Sequence, residues 1–72
     1  MKTFRDLFSA WGGIRAVAED VGEKYQTVAG WKLRNSIPPK YWPRVVDAAR
    51  RRGLRGINSE ALMRLERGRA AA

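Results

Sequence analysis

Apolar residues recur at helical spacing along the chain, and no stretch shows the alternation that is typical of a β-strand. The first two segments repeat one template, with apolar residues at positions i, i+3, i+4 and i+7. Thr3 is placed to cap the first helix, with Asp6 completing a weaker form of the capping box, and Gly12 follows as a stop signal. The template residues are Phe4, Leu7, Phe8 and Trp11, then Ile14, Val17, Ala18 and Val21.

The remaining sequence predicts three further helices. The third runs from about residue 24 or 25 to 33 or 34, and the fourth from about Pro39 to Gly53. A fifth, capped by Asn58 or Ser59, ends at residue 67. The last five residues, 68–72, carry too little apolar surface to be held, so we expect a frayed tail. The inward-facing residues are expected to be Val28, Trp31, Trp42, Val45, Val46, Ala49, Ala61, Leu62 and Leu65. The pattern therefore predicts one compact all-α domain of five helices over residues 1–67.

The composition excludes most catalytic and metal chemistry. The chain has 72 residues with no Cys and no His, so it lacks thiolate zinc ligands, a cysteine nucleophile and the usual general base. We expect no enzyme activity, no metal and no cofactor. The acidic residues Glu19, Asp20 and Glu23 are expected to form a solvated helix face rather than a metal site.

The charge balance points to a polyanionic partner. Fifteen Lys and Arg face seven Asp and Glu, which gives a net charge of +8, and nucleic acid is the leading candidate. Two other reasons for this charge stay open. One is solubility together with the arginine usage of a GC-rich genome, and the other is binding to a membrane surface. The longest uncharged run, residues 7–14, is far shorter than the roughly 20 apolar residues of a membrane-spanning helix. With no apolar signal-peptide region near Met1, we expect a cytoplasmic protein with no membrane partner.

One spacing joins the second and third helices: Ala18-x3-Gly22-x5-Val28-x2-Trp31. A small residue at Ala18 allows a close helix crossing, and Gly22 supplies the positive φ that reverses the chain. Val28 and Trp31 anchor the third helix to the core. The solvent side of that helix is then expected to carry small or polar residues and no bulky aliphatic one.

The stretch over residues 14–38, IRAVAEDVGEKYQTVAGWKLRNSIP, resembles the helix-turn-helix of the Cro/CI-type phage repressor family. Together with the first and fourth helices, the resemblance covers about residues 3–53. It implies a lambda-repressor-like domain with a helix-turn-helix at 14–34. In such a domain the third helix enters the major groove of DNA and the second crosses the backbone.

The resemblance also implies which residues face DNA. Gln26 is the best candidate for direct readout, because its amide can bond adenine N6 and N7. Two positions depart from the family pattern: Glu23 replaces an apolar residue, and Gly30 replaces a longer polar one. The implied base-reading residues are Tyr25, Gln26, Thr27, Ala29 and Gly30, and the implied phosphate contacts are Arg15, Lys24, Arg34, Asn35, Ser36 and Lys40.

We therefore predict a sequence-specific transcriptional regulator of phage or prophage-like origin, and we expect a repressor that binds double-stranded DNA. A domain of this size reads one half-site, so a homodimer or cooperative binding is expected. The segment 59–67 is either the dimer surface, through Leu62, Met63 and Leu65, or a helix that completes the core.

Two further functions stay open. One is an adaptor for RNA polymerase or a toxin on the same fold, and the second is a non-specific DNA-coating protein. No small-molecule ligand is indicated. The run Arg50–Arg52 is expected to be a helix end rather than a DNA contact.

Overall fold

Five α-helices connected by short loops build the structure, a computed structural model that describes residues 1–71. The helices pack into a body of 30 × 24 × 21 Å, and no strand occurs in residues 1–71. The predicted all-α class and helix count are confirmed. The bounds are α1 Phe4–Trp11, α2 Ile14–Val21, α3 Tyr25–Arg34, α4 Trp42–Arg52 and α5 Ser59–Ala71, with a short 3-10 helix at Pro39–Tyr41.

The helix ends follow local sequence signals. The capping box at α1 is complete: the Thr3 hydroxyl accepts from the backbone N–H of Asp6, and the Asp6 carboxylate accepts from that of Thr3. The first four helices each end with a residue in the left-handed region, followed by a backbone bond that reaches back five residues. This arrangement satisfies carbonyls that the helix itself leaves unpaired.

The start of the fourth helix is later than predicted, because α4 begins at Trp42 and not at Pro39. An α-helix starting at Pro39 would need the N–H of residue 43 to bond the Pro39 carbonyl, and Pro43 has no N–H. The N–H of Trp42 bonds that carbonyl instead, which makes a 3-10 turn. Pro43 then lies in the first turn of α4, where no N–H donor is needed.

The predicted end of the fifth helix at residue 67 is wrong for the residues that the structure describes, and the predicted fraying of 68–72 stays a prediction. Helix α5 continues through Gly68 to Ala71, and Ala72 lies outside the described residues. Alanine and arginine are strong helix formers, and an ion pair between Arg69 and Glu66 spans the last turns. At the other end, the Asn58 side chain accepts from the N–H of Ala61 at 2.8 Å, so Asn58 is the cap.

The core lies where α2 packs against α1, α3 and α4, with α5 packed on α4. All residues of the two repeated templates except Ile14 are buried, and Ile14 packs against the core edge. Trp42 and Val46, both expected inside, are half-buried, and the Trp42 indole N–H donates to the Ile37 carbonyl at 2.7 Å. The buried core residues that the helical pattern did not single out are Ile37, Ala48 and Ile57.

Helix α5 completes the core of its own chain. Leu62 is fully buried and Leu65 is 4% exposed, so neither side chain is free to form a dimer surface. Of the three residues predicted for such a surface, Met63 alone is exposed. Within residues 1–71, no helix combines the length and the apolar character that crossing a bilayer requires.

Candidate nucleic-acid interface

The turn between α2 and α3 is built around the carbonyl of Ala18. This oxygen accepts from the backbone N–H groups of both Gly22, at 2.9 Å, and Glu23, at 3.0 Å. The two bonds require Gly22 to adopt a φ of 82°, in the left-handed region where glycine has no steric penalty. Ala18 is buried against the neighbouring helix. The spacing from Ala18 to Gly22 thus fixes a three-residue reversal between the two helices.

Helix α3 has one face anchored and one face open. Val28 is fully buried and Trp31 is 1% exposed, with the Trp31 ring 4.9 Å from that of Tyr41. The side opposite these anchors carries four residues at positions i, i+3, i+4 and i+7, and we refer to them as the outer face of α3. Its members are Gln26, Ala29, Gly30 and Leu33.

Leu33 lies on the outer face, where the sequence pattern predicted no bulky aliphatic residue. That prediction is wrong: Leu33 is 79% exposed, the most exposed large apolar side chain in residues 1–71. Gln26 is also exposed, as predicted, and Ala29 and Gly30 are half-buried. Thr27 is half-buried and lies beside this face rather than on it.

Two predicted contact residues lie together at the N-terminal end of α3. Tyr25 is 51% exposed, and the guanidinium carbon of Arg15 lies 5.8 Å from the centre of its ring. This cation–π contact holds an arginine of α2 beside the first turn of α3. Lys24 is the residue that precedes the helix, and it is exposed. Both cations therefore flank the beginning of the outer face.

Gly30 makes room for Arg34. A Cβ atom placed on Gly30 would lie 3.2 Å from one guanidinium nitrogen of Arg34 and 3.4 Å from the other. The Arg34 side chain therefore folds back across the glycine, so a cation lies over the middle of the outer face of α3. This accounts for a glycine in the middle of a helix, where it costs about 1 kcal/mol relative to alanine.

The C-terminal end of α3 is tied to α1 by Arg5, a residue for which the sequence predicted no role. The Arg5 guanidinium donates to the Leu33 carbonyl at 3.2 Å, and the Arg5 backbone N–H donates to the Asn35 side chain at 3.2 Å. Asn35 itself has a φ of 54° and ends the helix. Its side-chain oxygen therefore has a partner on α1, and the phosphate contact predicted for Asn35 stays a prediction. No local signal near Arg5 pointed to it, because the contact joins residues 30 positions apart.

Ser36 and Lys40 separate after α3. The Ser36 hydroxyl donates to Glu66 of α5 at 3.4 Å, and the phosphate contact predicted for Ser36 stays a prediction. Lys40 is exposed, with its ammonium 5.2 Å from the ring centre of Tyr41. Arg44 lies on the same ring at 5.4 Å. The Lys40 ammonium is therefore accessible to a polyanion.

Glu23, the unexpected acid in the turn, is neutralised by Arg44. The Arg44 guanidinium lies 2.7 Å from the Glu23 carboxylate, whereas the sequence suggested Lys24 or Arg15 as the partner. This hydrogen bond, with a further one from the Lys24 backbone N–H, lowers the pKa of Glu23 below its ordinary value. The carboxylate stays charged, but its field at the start of α3 is offset by the arginine.

Charge is distributed unequally over the molecule. From Lys24 to Val46 the chain has five Lys and Arg residues and no Asp or Glu. The acidic residues lie outside this stretch, and two of them form ion pairs with arginines near the end of α4. Arg52 pairs with Asp20 at 2.8 Å, and Arg51 pairs with Asp47 at 3.2 Å. The acidic residues of α2 and the turn are thus engaged in ion pairs, apart from Glu19. The predicted helix-end role of Arg50–Arg52 agrees with these contacts.

The cations around α3 have no such partners. Within residues 1–71, no carboxylate oxygen lies within 4 Å of the charged groups of Arg5, Arg15, Lys24, Lys32, Arg34 or Lys40. These charges are available to an external anion. The arrangement resembles that of a surface adapted to phosphate groups.

A separate groove of about 590 Å³ lies where the loop between α4 and α5 meets α1 and α5. Its walls are mainly apolar, with Arg55 and Arg64 among them, and no residue of α3 lines it. Within the described residues, no three acidic residues approach closely enough to hold a metal ion. The groove offers no acid, base or nucleophile that would point to catalysis.

No family model, curated protein or solved structure matches this chain. The resemblance to Cro/CI-type repressors therefore remains a prediction drawn from the residues between Ile14 and Pro38. The geometry of α3 and its surrounding cations is independent of that resemblance.

Proposed function

We propose that this protein is a sequence-specific DNA-binding regulator with a lambda-repressor-like fold, in which α3 enters the major groove. The observation that carries the proposal is the outer face of α3: it has no carboxylate, and it is flanked at both ends by cations that have no acidic partner within residues 1–71. A helix of about 10–12 Å diameter fits the major groove, which is about 12 Å wide.

In this proposal the outer face of α3 contacts bases, and the cations that flank it contact phosphate groups. Gln26 presents an amide that can bond adenine, and Arg34 presents a guanidinium that can bond guanine or phosphate. Arg15, Lys24 and Lys40 supply contacts to phosphate, which fix position without reading sequence. Tyr25, Thr27 and Ala29 lie beside or between these groups and face the same groove.

The regulatory mechanism that this geometry supports is steric. A domain bound in the major groove excludes RNA polymerase from an overlapping promoter, so repression needs no second activity. A single domain covers one half-site, so we propose binding as a homodimer or as cooperative neighbours. The contact between copies does not involve Leu62 or Leu65, which are buried in the core.

The test is selection of the full chain on a pool of random DNA duplexes, followed by affinity measurement at several salt concentrations. Sequence-specific recognition predicts that one motif is enriched and that it binds at least about a thousandfold more tightly than unrelated duplex. Binding that is equal on all duplexes, with the same steep salt dependence, would identify a DNA-coating protein. Absence of any DNA binding at low salt would overturn the proposal.

A second candidate function is favoured by one observation. Tyr25 and Leu33 expose apolar surface at opposite ends of α3, and exposed apolar residues at a helix face are typical of protein contacts. An adaptor for a protein partner would use this same face. In that case mutation of Leu33 would abolish the protein contact, and the charge-reversing or charge-removing variants of Arg15 and Lys24 would have little effect.

A further inference from the structure

We infer that α3 lies lengthwise along the major groove and that Leu33 reads the 5-methyl group of a thymine. This inference rests on the proposed function and deepens it, because it names a specificity residue and the base group that it contacts. Leu33 is 79% exposed although leucine is strongly apolar. Covering an exposed leucine with another apolar surface is favourable, because both surfaces leave water.

The position of Leu33 in the helix determines its distance from Gln26 along the groove. Leu33 shares the outer face with Gln26, seven residues away, which is about 10.5 Å along the helix axis at 1.5 Å per residue. Base pairs stack about 3.4 Å apart along the DNA axis, but the major groove runs obliquely to that axis, so a helix that follows the groove covers about two base-pair steps over this length. If Gln26 reads one base, Leu33 faces a position about two base pairs away in the same groove.

The charges at both ends of α3 support the lengthwise orientation. Arg15 and Lys24 supply cations at the N-terminal end of α3. At the other end, the Arg5 guanidinium donates to the Leu33 carbonyl, and Arg34 folds over Gly30. Carbonyls at a helix C-terminus carry partial negative charge that repels phosphate. Arg5 and Arg34 offset that charge beside Leu33.

The chemistry of the groove identifies the ligand. In the major groove the only apolar group on a base edge is the thymine 5-methyl, and apolar side chains contact it. Leu33 has no hydrogen-bonding group, so it cannot read the other base edges. Between Gln26 and Leu33, Ala29 is small and the Arg34 guanidinium lies over Gly30, so the bases there would meet a methyl group and a cation.

The experiment uses the duplex that the selection yields, with each thymine replaced in turn by deoxyuridine, which removes only the methyl group. For the wild-type chain, one replacement should weaken binding about fourfold, the effect of one buried methyl group. For Leu33→Ala the same replacement should have no effect. The sensitive thymine should lie about two base pairs from the base whose preference Gln26→Ala relaxes.

Two further variants separate this contact from other roles of Leu33. Leu33→Met keeps an apolar side chain of similar reach and should retain most of the sensitivity to the methyl group. Met63→Ala changes an exposed apolar residue of α5 and should leave the fourfold sensitivity to the methyl group unaltered. Circular dichroism on each variant checks folding, which should be intact because both side chains are exposed.

Several results would overturn the inference while leaving DNA binding in place. In the first, the selected duplex has no thymine at the stated distance from the base that Gln26 reads. In the second, every deoxyuridine replacement affects the wild-type chain and Leu33→Ala equally. In the third, Leu33→Ala binds the selected duplex as tightly as the wild type does. A change in oligomeric state on Leu33→Ala, with unchanged DNA affinity, would assign the side chain to a protein contact instead. If selection enriches no motif at all, it is the proposed function that fails.

Discussion

The indole N–H of Trp11 donates to the carboxylate of Asp20 at 2.7 Å, and Arg52 donates to the same oxygen at 2.8 Å. One carboxylate on α2 therefore joins the end of α1 to the end of α4. Trp11 is almost fully buried, so its N–H depends on this acceptor. The contact positions the first helix of the proposed DNA-binding pair.

Asp20→Ala should reduce the free energy of unfolding by about 1–3 kcal/mol, because it leaves the donor of a buried indole without a partner. Urea denaturation followed by tryptophan fluorescence measures this change. Asp47→Ala is the matched control, since its pair with Arg51 is more than 60% exposed on both sides and should contribute under about 1 kcal/mol. Equal effects of the two variants would contradict a special role for Asp20.

Stability should decrease in acid. Hydrogen bonding from Trp11, with the charges of Arg52 and Arg51, lowers the pKa of Asp20 from its ordinary value of 3.8, and the hydrogen bond from Arg44 lowers the pKa of Glu23 from 4.5. A depressed pKa stabilises the fold above the ordinary value, and this stabilisation is lost as the pH falls through the lowered value. Melting temperatures measured between neutral pH and pH 2 should therefore decrease below about pH 4.5, and Asp20→Asn should show a shallower decrease. An identical acid profile in Asp20→Asn would show that this carboxylate is not coupled to folding.

Trp31→Ala should remove about 3–5 kcal/mol of stability, which is enough to unfold most of a domain this small. Trp31 is 1% exposed and packs against Tyr41. Thermal unfolding monitored by circular dichroism measures the loss, and Trp31→Phe should retain the fold with lower stability. A Trp31→Ala chain with the melting temperature of the wild type would exclude a core role.

Gln26→Ala should weaken binding to the selected duplex by about 1–3 kcal/mol and relax preference at one or two base pairs. Arg15→Ala should weaken binding to every sequence and reduce the salt slope by about one unit, because it removes one phosphate contact. Affinity titrations at several salt concentrations distinguish the two behaviours. Arg67→Ala on α5 removes the same charge outside α3 and serves as the control. A uniform loss on all sequences for Gln26→Ala would remove its base-reading role.

Gly30→Ala should change stability and DNA binding in opposite directions. Alanine stabilises a helix interior by about 0.5–1 kcal/mol relative to glycine, and the flexible Arg34 guanidinium can move away from the new methyl group. The variant should melt at a higher temperature and bind the selected duplex less tightly, because Arg34 is displaced. Gly68→Ala in α5 meets no neighbouring atom, so it should raise stability and leave binding unchanged. Unaltered affinity in Gly30→Ala would show that the position of Arg34 is unimportant.

Local signals predicted most of the fold. Helix periodicity identified every helix, and the apolar template residues of α1 and α2 are in or against the core because a 3.6-residue repeat places them on one side. The capping box and the turn at Gly22 follow from short-range backbone chemistry. Prediction was wrong where one residue changes the hydrogen-bond pattern, as Pro43 does at the start of α4, and at the end of α5, which continues beyond residue 67 to Ala71.

The candidate site was predicted in part. The positions of Gln26, Arg15 and Lys24 follow from the spacing across the turn between α2 and α3, which is local. The partners of Glu23, Asn35 and Ser36 did not follow, because each is bonded to a residue at least 21 positions away in the chain. Leu33 did not stand out in the sequence, because it lies at the predicted end of the third helix.

The sequence by itself determined the five helices, the reversal at Gly22 and the absence of acidic residues from Lys24 to Val46. Each of these depends on residue type and local spacing. The tertiary structure decided which of the 15 Lys and Arg side chains lack a carboxylate partner within residues 1–71. It pairs Arg44, Arg51 and Arg52 with acids and leaves Arg5, Arg15 and Arg34 around α3 without one. Ion pairs between distant residues depend on how the helices pack, and packing brings together groups that the chain order keeps apart.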